Sequence, residues 1–409
     1  MTSPTPTELT QLRRALHAIP EIGLSLPRTQ RTLLDALDGL PLEVRLGQAS
    51  TSITAVLRGT HPDRASDAPA VLLRADMDGL PIDEPESADP RSEIAGAMHA
   101  CGHDLHMAML VGAALELSAR RAELRGDVVF MFQPGEEGWG GARVMIDEGV
   151  LTAAGPEAGA AFAIHVFTGD PRPARFEVCS GTAMAAAAAL TIEIIGRGGH
   201  GSAPHLASDP VPTAAETILA LQSATTRRFN ALDPVVVTVG QVTAGTARNI
   251  IPDRAQLFAT VRSFSHASQA RAAEVLPAVA EGIAHAHGQD AVVEFRPEFP
   301  PVVNEGANVT TTVEAASRRF GADAVRTLDT PKTASEDFAE ILERVPGAFV
   351  FLDATPSAGA GYNHSPFAAY DDSVLGDGAA LYAEFAVQRL AELSAADITS
   401  HPLTRNDRA

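Results

Sequence analysis

The spacing of apolar residues over positions 1–180 predicts alternating helices and strands. Residues 8–18 and 28–39 repeat apolar side chains at the interval of an amphipathic helix. The segment DLHMAMLVGAALELSARR predicts a longer helix with Asp104 as its N-cap. The predicted strands are SITAVLRG, AVLLRADMDG, GDVVFMFQP and AGAAFAIHVF. Because the second strand is almost continuously apolar, it suits a sheet covered on both faces, and the alternation indicates an α/β fold with a mostly parallel sheet.

A different order of elements follows Cys179. Strand, helix, two strands, helix and strand succeed one another within 181–298, which is the βαββαβ order of a ferredoxin-like unit. The first pattern then returns, with helices near 307–320, 335–343 and 374–394 and the strand GAFVFLDA. We therefore predict an αβα-sandwich domain in two parts, 1–180 and 299–409, interrupted by an inserted α+β domain at 181–298.

Length and composition narrow the class of protein. At 409 residues the chain is long enough for two or three domains, and 45% hydrophobic residues are typical of a globular protein. The net charge of −20 argues against nucleic acid or an anionic membrane surface as a partner. No apolar run reaches membrane-spanning length and the amino terminus lacks a signal-peptide pattern, so we expect a cytoplasmic protein.

Histidine and cysteine are concentrated in GAMHACGHDLHMAML. This stretch contains His99, Cys101, His103 and His106, although the whole chain has 13 histidines and 2 cysteines. Gly102 allows the backbone to turn so that Cys101 and His103 face one space. A thiolate beside histidine suits zinc, while manganese, cobalt or nickel stays open. We expect His99 to line the pocket and His106 to pack or hydrogen-bond.

Other residues of metal-ligand type lie at the ends of predicted strands or in loops. They are Glu136 and Glu137 in FQPGEEGWGGA, Asp76 and Asp78 in LLRADMDGLP, His165 in AIHVF and His364 in YNHSPF. Taken singly, a glycine-rich acidic turn is usually exposed to solvent, and a histidine in an apolar strand is usually a core residue. Ligands of parallel α/β sheets gather at the carboxyl ends of the strands, so together these positions predict a metal site.

Nine segments occur in the order found in one enzyme family. They are LHAIPEIG, RADMDGLP, MHACGHDLHMAML, FQPGEEGWGGA, GRGGHGSAPH, ARNIIPD, ATVRSF, SEDFA and NHSPF. Over nearly its whole length the chain resembles the N-acyl-amino-acid amidohydrolases. These form the aminoacylase, hippurate-hydrolase and auxin-conjugate-hydrolase branch of the dinuclear-metal aminoacylase/carboxypeptidase superfamily.

The resemblance implies roles for particular residues. Two divalent metal ions per subunit, zinc or manganese in the first place, would be held by Cys101, His103, Glu137, His165 and His364. Glu136 would be the general base, with Asp76 and Asp78 orienting the ligands. The inserted domain would form a homodimer and close over the site. His200 would then reach the partner subunit's active site, and Asn249 and Arg262 would bind the substrate.

The resemblance also implies a reaction, the hydrolysis of a small-molecule N-acyl amino acid to a carboxylic acid and an amino acid. Water shared by two metals about 3–4 Å apart would lose a proton to Glu136, and the metal-bound hydroxide would attack the amide carbonyl. Glu136 would return the proton to the leaving amine, while His200 stabilises the oxyanion. The planar guanidinium of Arg262 suits a carboxylate. A metallo-carboxypeptidase or dipeptidase on the same scaffold stays open.

Three features depart from the family pattern. Leu105 stands where glycine is usual, Trp139 replaces a small glycine, and GLSLPRT lacks the usual acidic pair. These changes leave the metal ligands in place. Because Trp139 would alter the mouth of the pocket, substrate preference does not transfer from the family.

Two other classes of protein agree less well with the sequence. LTIEIIGRGGHG has the G-x-G-x-x-G spacing of a nucleotide-binding oxidoreductase. However, Pro204 and Pro210 interrupt the helix that must follow, and no acidic strand end lies about twenty residues further on. A non-catalytic metal-binding protein would need the ligands alone, so Glu136 is the residue that distinguishes it from an enzyme.

Overall fold

The computed structural model describes residues 6–357 and 359–400, which form two compact units. The first unit comprises the described residues within Met1–Gly181, Val303–Asp329 and Glu340–Ala409, and the second those within Thr182–Val302 and Thr330–Ala339. The sequence did not assign Thr330–Ala339 to the second unit. This segment joins it through backbone bonds, since Lys332 N–H donates to the Ala183 carbonyl at 2.9 Å and Ala185 N–H donates to the Lys332 carbonyl at 3.1 Å.

The first part of the chain contains four helices and seven strands among its described residues. They are α1 Pro6–His17, α2 Pro27–Leu37, β1 Leu42–Leu46, β2 Ile53–Leu57, β3 Ala70–Asp76, α3 His103–Ala119, β4 Asp127–Gln133, α4 Gly141–Asp147, β5 Ala160–Phe167, β6 Phe176–Cys179 and β7 Gly181–Met184. The predicted helices and strands of this region are present. Strands β1, β6 and β7 were not predicted, because they are short and β1 is mostly exposed.

The second unit has the predicted ferredoxin-like order. Its elements are β8 Ala186–Ile195, β9 Gly199–His200, α5 Pro210–Arg227, β10 Val235–Ala244, β11 Ile250–Ile251, β12 Arg254–Ser263, α6 His266–Ala286 and β13 Asp290–Phe299. The main sheet is antiparallel in the order β10-β12-β8-β13. Leu221 of α5 and Leu276 of α6 are buried in the core of this unit with Leu190 and Ile192 of β8.

The remaining elements run from Val302 to Ser400. They are β14 Val302–Asn304, α7 Gly306–Phe320, β15 Val325–Leu328, α8 Ala339–Leu342, β16 Gly347–Asp353 and α9 Leu375–Ser400. The helix predicted at 335–343 is wrong in extent, since only Ala339–Leu342 is helical.

Eight strands form the sheet of the first unit, in the order β1-β2-β4-β3-β5-β16-β6-β15. Strands β4, β3, β5 and β16 run parallel at its centre. Every residue of β3, β4 and β5 is buried, so the sheet is covered on both faces as the apolar runs indicate. Phe385 of α9 stacks on Phe162 of β5 with ring centroids 4.2 Å apart. The predicted α/β class with a mostly parallel sheet is confirmed.

Asp104 is not the N-cap of α3, which corrects the prediction. Helix α3 begins at His103 and its N-cap is Gly102, whose backbone is left-handed with φ of 84°. Asp104 lies in the first turn and is buried. Its carboxylate binds Arg13 Nε and His17 Nδ1, both at 2.8 Å, so a tertiary ion pair takes the place of a cap.

The glycines of LTIEIIGRGGHG do not form a dinucleotide-binding turn. The short strand β9 follows β8, and the next α-helix starts only at Pro210. Across the ranges that the structure describes, no helix combines the length and apolar character needed to cross a bilayer. The expected cytoplasmic location stays a prediction.

Candidate metal centre

The centre is assembled at one edge of the parallel strands in the first unit. Asp76 ends β3, Gln133 ends β4 directly before the Glu136–Glu137 turn, and His165 lies near the end of β5. The carboxyl ends of neighbouring parallel strands share an edge, so these residues meet although they are far apart in the chain.

Gly102 sets the direction of Cys101 and His103. A Cβ atom at this position would lie 2.3 Å from Val166 Cγ2 and 3.1 Å from Tyr370 Cε1. Only glycine fits this space and the left-handed backbone together. The turn therefore presents the thiol just before α3 and the imidazole at its first residue.

Cys101 lies at the middle of the cluster. Its Sγ atom is 3.4 Å from His165 Nε2 and 3.3 Å from His364 Nε2. Glu137 Oε1 is 3.1 Å from His364 Nε2 and 4.0 Å from His103 Nε2. The structure thus brings together all five residues that the sequence predicted as metal ligands.

Among the described residues five groups of side chains could hold a metal ion, and two of these groups share the thiol of Cys101. Cys101, His103 and His165 form one, and Cys101, Glu137 and His364 the other, with the ligand atoms of each group all within 4.8 Å of one another. Sulfur, nitrogen and oxygen donors together suit zinc and related divalent ions. His103 is buried and neither of its ring nitrogens has a hydrogen-bond partner, which fits a ligand to a cation.

Hydrogen bonds fix which nitrogen of His165 and His106 carries the proton. The Val166 carbonyl can only accept, so His165 Nδ1 donates to it at 2.8 Å, leaving Nε2 unprotonated toward Cys101. Burial lowers the pKa of His165 well below its ordinary value, which keeps the ring neutral. His106 Nε2 accepts from Val166 N–H at 2.8 Å, so its Nδ1 donates to Asp76 at 2.6 Å. The expected hydrogen-bonding role of His106 is confirmed.

The charge of the cluster favours a cation. Hydrogen bonds to Cys101 and Glu137 raise the pKa of His364 to about 10, against the opposing effect of burial. Burial alone raises the pKa of Glu137, but the hydrogen bond from His364 and the charge of His103 lower it. The Glu137 carboxylate, which helps to hold this proton, would also attract a divalent ion.

Asp76 and Asp78 lie beside the cluster and contact several of its residues. Asp78 accepts backbone N–H bonds from Glu136 at 2.9 Å and Glu137 at 3.1 Å. Both aspartates place an oxygen 3.7 Å from His103 Nδ1. Asp76 also pairs with buried Arg74 at 2.6 Å. That Asp76 and Asp78 orient metal ligands stays a prediction.

The loop that carries His364 contains a residue that the sequence reasoning missed. His364 has φ of 67°, the single positive value at a non-glycine position among the described residues. Asn363 holds this loop, because its Nδ2 donates to the Val166 carbonyl at 3.1 Å and its Oδ1 accepts from Thr168 N–H at 3.0 Å. Asparagine is frequent where a side chain bonds to a turning backbone, and that was the available signal.

His99 does not line an open site. It is fully buried, and its ring centroid is 6.3 Å from that of His17. Burial lowers its pKa to about 3, so the ring is neutral. This corrects the expectation that His99 contributes to a pocket wall.

The three remaining predicted residues belong to the second unit. Pairing of β9 with β11 places His200 opposite Ile250, and Asn249 precedes β11. Ser202 N–H donates to His200 Nδ1 at 3.1 Å, so the exposed ring carries its proton on Nε2. Arg262 lies half-buried on β12, opposite Val236 and Ala187. The missed strands β9 and β11 bring His200 and Asn249 together.

Comparisons with known proteins show which family this chain is similar to. Residues 72–388 match the profile of peptidase family M20/M25/M40. N-acetylcysteine deacetylase of Bacillus subtilis is 36% identical over 382 residues, covering 93% of this chain and 96% of its own. Thermostable carboxypeptidase 2 of Saccharolobus solfataricus is 32% identical over 384 residues, covering 92% and 94%. The crystal structure of a dinuclear metal binding M20 peptidase from Bacillus subtilis superimposes with a TM-score of 0.80 at 33% identity, covering 94% of this chain and 98% of the other.

Proposed function

Because the chain belongs to peptidase family M20/M25/M40, we propose that it hydrolyses N-acyl amino acids to a carboxylic acid and an amino acid. It is a hydrolase that acts on amide bonds. The observation that carries the proposal is the convergence of a thiol, three imidazoles and Glu137 beside Glu136.

We assign two divalent metal ions to the centre. Cys101, His103, Glu137, His165 and His364 would hold them. Zinc or manganese suits this mixture of donors. Bound ions of this kind polarise an amide carbonyl and lower the pKa of water.

Glu136 would move the protons of the reaction. It is buried, lies next to the ligand Glu137, and its backbone is held by Asp78. As general base it would accept a proton from water, and as general acid it would return that proton to the leaving amine. Asp78 thereby acts as a positioning residue for Glu136.

Two matched variants test these roles. Glu136→Gln should keep the metal content of the wild type and lower kcat by about 10²–10⁴-fold, because the proton acceptor alone is lost. Glu137→Gln should lose metal as well as activity. Metal content is measured by elemental analysis, and activity on N-acyl amino acids before and after chelator treatment. If Glu136→Gln binds metal and hydrolyses normally, the assignment is wrong, and if the wild type binds metal but hydrolyses no amide, the protein is a metal-binding one.

Residues of the second unit would complete the site across a homodimer. His200 carries its proton on exposed Nε2 and could stabilise an oxyanion, while Asn249 and Arg262 would bind the substrate. Mixing two inactive variants tests this directly. Glu136→Gln combined with His200→Ala should regain about a quarter of wild-type activity, since half of the dimers would hold one complete site. No recovery after subunit exchange would contradict a shared site.

A carboxypeptidase is the second candidate, favoured by the 32% identity to thermostable carboxypeptidase 2. Both activities cleave an amide beside a free carboxylate, so the group on the acyl side of that amide distinguishes them. We expect acyl amino acids to be cleaved faster than dipeptides with a charged amino terminus. Comparison of kcat/KM for acetyl-alanine, benzoyl-alanine and alanyl-alanine decides between the two.

A further inference from the structure

An open cavity of about 390 Å³ adjoins the metal centre in the first unit. Its walls come from three loops, with Ile22 from the first, Leu80 and Pro81 from the second, and Glu137 and Trp139 from the third. Glu137 belongs to the metal centre, so the cavity begins directly beside the reacting groups.

Trp139 is held in a defined position although it is exposed. A Cβ atom on Gly23 would lie 3.3 Å from Trp139 Cδ2, so one side of the indole rests on this glycine. The side chain is nevertheless 56% exposed and lines the cavity. An exposed indole next to a catalytic centre is available to bind an apolar group.

The two loops that face Trp139 are hydrogen-bonded and closely packed against one another. Gly79 N–H donates to the Glu21 carbonyl at 2.7 Å. A Cβ atom on Gly79 would lie 2.8 Å from Pro20 Cβ, which shows how closely the two segments approach. The cavity is therefore preformed, and its walls need little ordering when a ligand enters.

The lining of the cavity suits only one of the two halves of an N-acyl amino acid. The amino acid half carries a carboxylate, whereas the acyl half can be wholly apolar. Apart from Glu137, which would bind metal, the residues that line the cavity are uncharged, so none of them could pair with a carboxylate. The acyl half is the part that this surface accepts.

We propose that this cavity, here named the acyl pocket, binds the acyl group of the substrate and that Trp139 makes the enzyme prefer large apolar acyl groups to acetyl. The volume of about 390 Å³ supports this, because a cavity of about 150 Å³ already admits benzene. The inference rests on the proposed function for its catalytic readout.

Kinetics with the amino acid held constant test the preference. The wild type should cleave benzoyl-alanine and hexanoyl-alanine with higher kcat/KM than acetyl-alanine. Trp139→Gly should lower the benzoyl-to-acetyl ratio by about tenfold, and Trp139→Phe should keep most of it. Leu46→Ala is the matched control, since Leu46 is 51% exposed on β1 and does not line the acyl pocket. An unchanged benzoyl-to-acetyl ratio in Trp139→Gly would overturn the proposal. A variant that changes the preference between acetyl-alanine and acetyl-phenylalanine, but not the benzoyl-to-acetyl ratio, would also overturn it, because Trp139 would then contact the amino acid half.

Fluorescence gives a test that does not need turnover. Trp139 is the single tryptophan of the chain, so its emission reports on the acyl pocket alone. Hexanoate and cyclohexanecarboxylate, added to the metal-loaded protein, should shift the emission to shorter wavelength by displacing water from the indole, whereas acetate should not. No shift with either large acid would overturn the pocket. If this shift occurs while no N-acyl amino acid is cleaved, the proposed function fails and the pocket stands.

Discussion

Asp78 shows how much one buried carboxylate can organise at the scale of a single residue. It accepts the backbone N–H groups of both Glu136 and Glu137, and its oxygen lies 3.7 Å from His103 Nδ1. The backbone of the Glu136–Glu137 turn is thus held by a side chain that also lies beside His103. Such outer partners determine how well a metal site is preorganised.

Asp78→Asn should therefore weaken metal binding by about 10–100-fold, which competition with a chromophoric chelator measures. Asparagine has one carbonyl oxygen, so it can satisfy at most one of the two N–H groups fully, and it removes the negative charge beside His103. Asp83→Asn is the control, since Asp83 is exposed in the same loop. Equal metal affinity in the two variants would refute the role of Asp78.

At the scale of elements, two junctions place the centre. The left-handed turn at Gly102 joins the 77–102 loop to α3 and sets the direction of Cys101 and His103 on either side of it. Helix α1 is tied to the same region by His17, whose Nδ1 bonds Asp104 at 2.8 Å and whose Nε2 bonds Glu84 at 2.9 Å. Both junctions depend on contacts with distant segments.

Replacing Gly102 with alanine should lower the free energy of unfolding by about 2 kcal/mol or more and impair metal binding. The left-handed backbone is strained for alanine, and the added Cβ would lie 2.3 Å from Val166 Cγ2. Gly39→Ala is the matched control, since Gly39 has φ of 73° but no neighbour within 4 Å. It should lose only about 1–2 kcal/mol. If denaturant unfolding gives the same loss of unfolding free energy for Gly102→Ala and Gly39→Ala, only the backbone conformation matters at Gly102 and the contact with Val166 does not.

The anchoring of α1 should weaken as pH rises. Burial alone lowers the pKa of His17, but the charges and hydrogen bonds of Asp104 and Glu84 outweigh it and raise the pKa, with Arg13 and neutral His99 nearby. The stability that protonated His17 contributes is therefore complete below the unfolded pKa of about 6.5 and is lost as pH rises through the folded value.

His17→Gln tests this pH dependence. The difference in Tm between wild type and His17→Gln should be largest near about pH 6 and should narrow at higher pH. His287→Gln is the control, because the pair of His287 and Glu216 is exposed. A difference for His17→Gln that is constant with pH would contradict a charged His17.

At the scale of the whole molecule, metal binding should stabilise the first unit selectively. At a free metal concentration of about 100 times Kd, one site contributes about 2.7 kcal/mol. A chelator should lower the Tm of the wild type by several degrees and have little effect on Cys101→Ser, which lacks one of the proposed ligands. Removal of metal by the chelator should make backbone amide hydrogen exchange faster in the loops around the centre. Exchange in β8–β13 should stay unchanged. Equal loss of protection in both units would contradict a site confined to the first.

Local patterns in the sequence were sufficient to predict most helices and strands and the types of side chain that could carry the chemistry. The continuous apolar runs of β3, β4 and β5 and the helical period of α5 and α6 are properties of neighbouring residues. Strands β1, β6 and β15 are short and lie toward the ends of the sheet order, where pairing with a neighbour decides the conformation. Asp104 was mistaken for a cap because its partners, Arg13 and His17, are remote in the chain.

What the sequence alone determined was the fold class, the family and the residue types proposed as ligands, since these follow from periodicity, motif order and side-chain chemistry. Only the tertiary structure decided which ligands meet. Cys101 and His364 are 263 positions apart, yet Sγ and Nε2 lie within 3.3 Å. The tautomers of His106 and His165 and the wall formed by Trp139 were decided in the same way. Such distances and hydrogen bonds depend on how separate strands and loops pack, and no local pattern encodes them.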